Sequence, residues 1–219
     1  MQAERSGDKY RNFIFDFDGT LADTLPVLVR SINQFSRKYR YRTIDPEELP
    51  RLRLLSAREL IKDLRMSRLV VPLVVREGIK LLNKEIGSVP LVVAALKQTL
   101  HRLKSEYDAY LGIVTSNSKS NVRAFLKSHN LFLFDFIESS VSLFGKHLVL
   151  RKVMQRKGLS CGDTIYIGDE IRDIDAARDA RLKVGAVAWG YNTVDALKAK
   201  RPDYLFYQPD DLLSVAAVK

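Results

Sequence analysis

Apolar and polar positions along the chain fall into two regimes. Asn12 to Phe17 carries an apolar run (Phe13, Ile14, Phe15) that reads as a buried strand. From Leu25 to Tyr41 apolar residues recur at helical spacing (Leu25, Leu28, Val29, Ile32, Phe35, Tyr39), with Thr24 as cap and Pro26 in the first turn. Further helical stretches are predicted near Pro46 to Leu52, Ser56 to Met66 and Pro72 to Ile86, where Gly87 supplies a stop. No strand pattern interrupts Leu25 to Ser88, so this block predicts a small helical insert.

Beyond it the pattern alternates. Leu91 to Lys104 reads as a helix, Tyr110 to Val114 as a strand, Ser120 to Ser128 as a helix and Phe136 to Glu138 as a short strand. Lys146 to Lys157 (helix), Thr164 to Ile167 (strand) and Arg172 to Ala180 (helix) follow. Lys183 to Ala188, Val194 to Lys200, Tyr204 to Phe206 and Asp210 to Val218 continue the series. Such alternation implies an α/β fold: a parallel sheet covered on both faces, with right-handed crossovers. The expected organisation is a flexible N-terminal tail (1–9), a sheet core (10–24 and 89–219) and a helical cap (25–88).

Bulk properties narrow the class. At 219 residues and 46% apolar content, the chain can bury a full core. No apolar stretch is long enough to span a bilayer, and the polar start has no signal core, so a cytoplasmic protein without a membrane partner is expected. A lone cysteine, Cys161, excludes an internal disulfide and fits a reducing compartment. The net charge of +10 favours anionic partners. The charges are dispersed along helical faces, however, without an Arg-rich tail, zinc spacing or RNA-recognition pattern, so no nucleic-acid partner is expected.

The candidate chemistry lies at strand ends. Asp16-Phe17-Asp18-Gly19-Thr20-Leu21-Ala22-Asp23-Thr24 places two carboxylates where the first strand stops. Alternating residues share one side of a strand, so Asp16 and Asp18 bracket Phe17 on the same side. Like charges packed together call for a cation, and one of them is a ready carboxylate nucleophile. Thr164-Ile165-Tyr166-Ile167-Gly168-Asp169-Glu170-Ile171-Arg172-Asp173 repeats the theme, with acids at Asp169 and Asp173. Together they suit a hard cation with oxygen ligands.

The first of these runs resembles the first motif of the haloacid dehalogenase superfamily, most of whose members are phosphatases, and the second resembles its acidic fourth motif. The resemblance implies a Rossmann-like core with a helical cap inserted after the first motif. It implies that Asp16 attacks phosphorus to form an aspartyl-phosphate, while Asp18 protonates the leaving group and then activates water. Gly19 lets the chain turn away from the strand beside the phosphate. Thr115, directly after the strand Tyr110 to Val114, would hydrogen-bond the phosphoryl group, with Ser116 and Asn117 as further donors. Lys146, before the helix leading to the fourth motif, would neutralise the nucleophile. Asp16, Asp18 (through its carbonyl), Asp169 and Asp173 (through water, or by orienting Lys146) would serve a magnesium ion.

The expected activity is hydrolysis of a small-molecule phosphate monoester, phosphoglycolate phosphatase-like, by a monomer or homodimer. A sugar-phosphate mutase is the alternative, and a non-catalytic binding protein on the same fold is a remoter one. Arg51, Arg53, Ser56 and Arg58 cluster near a predicted inter-helix loop of the cap. Arg53 is the residue expected to reach the substrate's non-reacting end.

Overall fold

The run Phe13-Ile14-Phe15 forms β1 (Asn12–Phe15), the central strand of the computed structural model, which describes residues 9–139 and 145–218. The expected tail lies, apart from Lys9, outside the described residues. β1 pairs in parallel with β2 (Tyr110–Thr115) on one side and β4 (Thr164–Gly168) on the other. β3 (Phe136–Ser139), β5 (Lys183–Val187) and β6 (Tyr204–Phe206) complete a six-stranded parallel sheet of order β3-β2-β1-β4-β5-β6. This is the α/β Rossmann-like arrangement the alternation predicts. The order reverses direction at β1, so a crevice opens at the carboxyl ends of β1, β2 and β4.

Side-chain alternation along β1 divides the core in two. Phe13 and Phe15 pack with Leu100, Phe125 and Leu212 on one face, while Ile14 joins Leu150, Tyr166 and Ile174 on the other. The helices that supply these faces are α5 (Leu96–Ser105), α6 (Lys119–Ser128), α7 (Lys146–Lys157), α8 (Ile171–Asp179) and α9 (Val194–Ala199). Between β1 and α5 stand the helices α1 (Leu25–Tyr39), α2 (Leu49–Leu52), α3 (Ala57–Asp63) and α4 (Val71–Glu85). They bury a third apolar cluster of their own, built on Ile32, Tyr41, Ile44, Leu52, Leu64, Met66 and Val74.

The chain enters and leaves this helical block through adjacent linkers. Ala22 bridges Leu91, Asp23 N–H donates to the Pro90 carbonyl at 3.0 Å, and Val92 N–H donates to the Leu21 carbonyl at 3.0 Å. That pairing is why α5 begins at Leu96 rather than at Leu91 as the periodicity predicts. Gly87 does not end α4 by a left-handed residue; it sits in a 3-10 turn, Ile86–Ser88. The expected C-terminal helix is instead a 3-10 run, Pro209–Val215, after which Ala217 N–H donates to the Tyr10 carbonyl and draws the chain alongside the start of the sheet.

Candidate active site

Asp16 follows β1 directly and is almost fully buried, fixed by its own N–H donating to the Ile167 carbonyl at 2.8 Å. The chain then leaves the strand through a tight turn. Leu21 and Ala22 donate to the Phe17 carbonyl, Gly19 donates to the Ala22 carbonyl, and Gly19 adopts φ +77°. Only glycine fits there: a Cβ would run into the carboxylate of Asp169. Thr20 closes the turn onto β4 by donating to Asp169 Oδ1 at 2.6 Å.

Lys146, the first residue of α7, is buried at the centre of the acids. Its Nζ lies 2.8 Å from Asp16 Oδ2 and 2.6 Å from Asp173 Oδ1. The contact to Asp173 is a hydrogen bond and that to Asp16 an ion pair, and both Asp16 oxygens are buried without a hydrogen-bond donor among the described residues. The two carboxylates consequently diverge. Burial pushes Asp16 up to about 7, only partly opposed by Lys146. Burial acts on Asp173 too, but Lys146, Arg172 and the Glu170 N–H outweigh it and hold this carboxyl below its usual range. Burial opposes the Lys146 charge, yet Asp16 and Asp173 hold its ammonium above the ordinary lysine value.

Asp18 belongs to a separate network. Its Oδ1 accepts from Thr24 Oγ1 at 2.9 Å, and its two oxygens accept from Asn117 Nδ2 at 3.0 and 3.2 Å. Thr24 therefore stands at the α1 cap position without capping the helix by its side chain. The Tyr191 hydroxyl lies 2.5 Å from Thr24 Oγ1. Since Thr24 gives its proton to Asp18, Tyr191 donates to Thr24. Burial raises the Asp18 carboxyl above its normal value despite these donors.

The residues expected at the end of β2 also converge here. Thr115 is fully buried and its Oγ1 accepts from Asn117 N–H at 2.9 Å. Ser116 and Asn117 line the same cavity as Asp18. The Asn117 side-chain oxygen accepts from Ser118 N–H and Asn121 Nδ2, which fixes the amide so that its NH2 faces Asp18.

A divalent ion is tested against the acids by their free oxygens. Asp16, Glu170 and Asp173 each offer an oxygen within 4.8 Å of the others, and Asp16 brings two oxygens that no donor among the described residues satisfies. An oxygen-only set of this kind fits a hard cation. Asp16 and Asp173 were expected in it. The Asp169 and Asp18 side chains lie outside this side-chain group, Asp169 accepting from Thr20 and, at 2.7 Å, from Tyr191 N–H and Asp18 from Thr24 and Asn117; the Asp18 ligand expected from the sequence is its backbone carbonyl, which is not a side-chain donor. Glu170, whose reach the sequence leaves open, is the third member, with Arg172 paired to its Oε1.

Arg53, expected at the substrate, lines the same cavity as Asp18 and also binds the core. Its Nε and Nη2 donate to the carbonyls of Tyr191 and Gly190 at 2.9 and 2.7 Å, and its own carbonyl accepts from Asn192 Nδ2 and Thr193 N–H. The guanidinium clasps the helical block to the loop after β5. Arg51 pairs with Asp63 and Glu48 within the block. The loop itself carries functional residues that the sequence pattern did not single out: Trp189 donates to the Thr20 carbonyl, Tyr191 braces Asp169 and Thr24, and Asn192 accepts from Ile171 N–H. The only sequence signal was a cluster of polar and aromatic residues after a strand, which is also the composition of an ordinary loop.

Taken together, a parallel sheet with its crevice at the β1 switch point and a lysine set among buried acids defines a hydrolase-type α/β site. The model of the haloacid dehalogenase-like hydrolases matches residues 13–187. A phosphoglycolate phosphatase of Synechococcus elongatus is 33% identical, covering 91% of this chain and 94% of its own length. Pyrophosphatase PpaX of Bacillus velezensis is 26% identical over 94% and 96%. Among solved structures, a predicted phosphatase from Clostridium acetobutylicum superposes with a TM-score of 0.79 at 22% identity, covering 94% and 97%, which supports the fold. The chain belongs to the haloacid dehalogenase-like hydrolase family, on its phosphoglycolate phosphatase-like branch, and is an enzyme of the phosphatase type.

Proposed function

We propose that this protein hydrolyses a small-molecule phosphate monoester in two steps through a phosphorylated Asp16, with magnesium as its ion. The observation that carries the reading is Asp16 itself: buried at the switch point, beside Lys146, with neither oxygen hydrogen-bonded. A carboxylate so placed has its lone pairs available for attack on phosphorus.

In the first step an Asp16 oxygen forms a bond to phosphorus as the bond to the ester oxygen breaks. Asp18, whose raised carboxyl favours the protonated form, gives its proton to the departing alkoxide. In the second step the Asp18 carboxylate takes a proton from water, which attacks the same phosphorus and returns Asp16 with inorganic phosphate. Lys146 faces the nucleophile throughout and offsets the charge that gathers there. Thr115, Ser116, Asn117 and the Gly19 turn border the space for the phosphoryl oxygens. Asp16, with the Asp18 carbonyl and the Asp169, Glu170 and Asp173 carboxylates as the oxygen donors around it, would hold magnesium, which supplies charge neutralisation between carboxylate and phosphate when bound. Asp169 fixes the turn through Thr20 and Tyr191.

The test is phosphate release from a panel of esters with and without magnesium: glycolate phosphate, sugar phosphates, nucleotides and p-nitrophenyl phosphate, with pyrophosphate alongside. Release that needs the ion and vanishes in Asp16→Asn is expected. Interconversion of sugar phosphates without release would establish the mutase instead.

A further inference from the structure

Beside Asp18 a cavity of about 260 Å3 runs into the helical block, close to the lower end of ligand-pocket sizes of about 300–1,000 Å3. Its catalytic end is polar, with Asp18, Ser116, Asn117, Glu170 and Arg172. The part of its lining drawn from α1 and α4 is aliphatic: Leu25, Leu28, Ile32, Val75, Ile79 and Leu82 are among the walls. Gly78 faces Ser31 across the two helices, where an added Cβ would come within 3.0 Å of the Ser31 hydroxyl.

We propose that this cavity binds the alcohol portion of the substrate, and that the substrate is a phosphate monoester of an apolar, chain-like alcohol rather than of a hydroxy acid or sugar. The inference rests on the phosphatase reading and adds the class of leaving group. A hydroxy-acid phosphate would carry a second negative group into the cap and need a cation to receive it. The lining arginines are committed: Arg53 to the Gly190 and Tyr191 carbonyls, Arg172 to Glu170. Arg172 Nη1, without a partner among the described residues, belongs to a side chain of the acidic end, where the phosphate would sit. A sugar would need several hydroxyl partners. Thr24, Tyr191 and Asn192, which also line the cavity, are hydrogen-bonded within the protein, and from α1 and α4 the free polar group is Ser31 Oγ, buried and without a partner among the described residues. Apolar walls instead reward each methylene taken from water.

The experiment compares kcat/KM for methyl, butyl, hexyl and octyl phosphate with that for glycolate phosphate on the unaltered protein with magnesium. Equilibrium binding of the same alkyl phosphates to Asp16→Asn is measured calorimetrically. We expect kcat/KM to climb with chain length, up to about fourfold per buried methylene, and affinity for Asp16→Asn to climb in parallel. In Val75→Phe, which fills the cavity, the hexyl-to-methyl ratio should fall by at least tenfold. Release from every ester with no dependence on chain length, or with glycolate phosphate preferred, overturns the apolar assignment and leaves the phosphatase reading standing. No release from any ester, p-nitrophenyl phosphate included, overturns both.

Discussion

Asn117 presents its side-chain NH2 to both carboxylate oxygens of Asp18, spanning 99 residues of sequence from the end of β2 to the turn after β1. Its own carbonyl oxygen is occupied by Ser118 N–H and Asn121 Nδ2, which leaves the amide one orientation. A residue expected to touch phosphate thereby also aims the carboxyl proposed as the general acid. These donors oppose the burial that raises the Asp18 carboxyl. Asn117→Leu should therefore raise that carboxyl further, move the alkaline limb of the kcat profile, where the acid loses its proton, to higher pH and lower kcat by about 10- to 100-fold, within the range of a general acid's contribution. A loss of rate with an unmoved pH profile would show that Asn117 acts on phosphate alone.

Lys146 is the only described cation paired to both Asp16 and Asp173. Lys146→Met leaves two buried carboxylates without it. Removing one partner of a buried pair costs about 3–5 kcal/mol, part of which protonation recovers. The variant should lose about 100- to 1,000-fold in kcat, comparable to removing a donor aimed at developing charge. Its melting temperature should fall more at pH 8 than at pH 5, because the acids can no longer stay charged together. Equal losses at the two pH values would contradict this account.

Gly19 is close-packed rather than merely flexible. Gly19→Ala combines φ +77° with a Cβ driven into Asp169, so the turn or the Thr20–Asp169 hydrogen bond must give way. We expect a melting temperature lowered by several degrees and activity lost even where the protein remains folded. Near-wild-type activity would mean that Asp169 can move without moving Asp16.

Much of this was legible because it is local. Asp16, Asp18, Asp169 and Asp173 announce themselves as acids at the ends of short apolar runs, and β1 and β4 are neighbours in the sheet. Lys146 is harder to read, since one lysine before a helix looks like any surface lysine until burial and two acids are seen around it. Glu170 was ambiguous because only its direction in space decides whether it joins Asp16. Tyr191 and Asn192 escaped altogether: each acts partly through backbone groups, and their partners Thr24 and Leu55 lie well over a hundred residues away.

Arg53 has a second role that the sequence does not show. An arginine in the cap beside a predicted loop reads as a substrate ligand, yet two backbone carbonyls of the core loop take its guanidinium. Hydrogen bonds to charged groups contribute about 1.5–3 kcal/mol, so Arg53→Ala should destabilise the protein by roughly that amount and expose the helical block to limited proteolysis. Arg53→Lys should not restore stability, because one ammonium does not reproduce the planar fork. Unchanged stability with a KM increase confined to substrates bearing a distal anion would return Arg53 to the substrate.

The acids also fix how stability responds to pH and magnesium. Asp16 is raised from 3.8 to about 7, and Asp18 and Asp169 move upward as well, all chiefly through burial. Without metal, the folded protein therefore keeps protons that the unfolded chain releases near pH 4. Their stabilisation is complete below that pH and is lost as pH rises through about 7. Asp173 is lowered, so its contribution has the opposite sign, present above its unfolded value and lost only in stronger acid. Between pH 5 and 8 the raised acids dominate, and the metal-free melting temperature should fall. Magnesium competes with protons for Asp16, so its stabilising effect should be small at pH 5 and large at pH 8, with affinity rising through about pH 7. Asp16→Asn should flatten both dependences. A metal-free melting temperature that climbs from pH 5 to 8, or equal magnesium stabilisation at both, would show that Asp16 is ionised without the ion and that Lys146 alone suffices to hold it so.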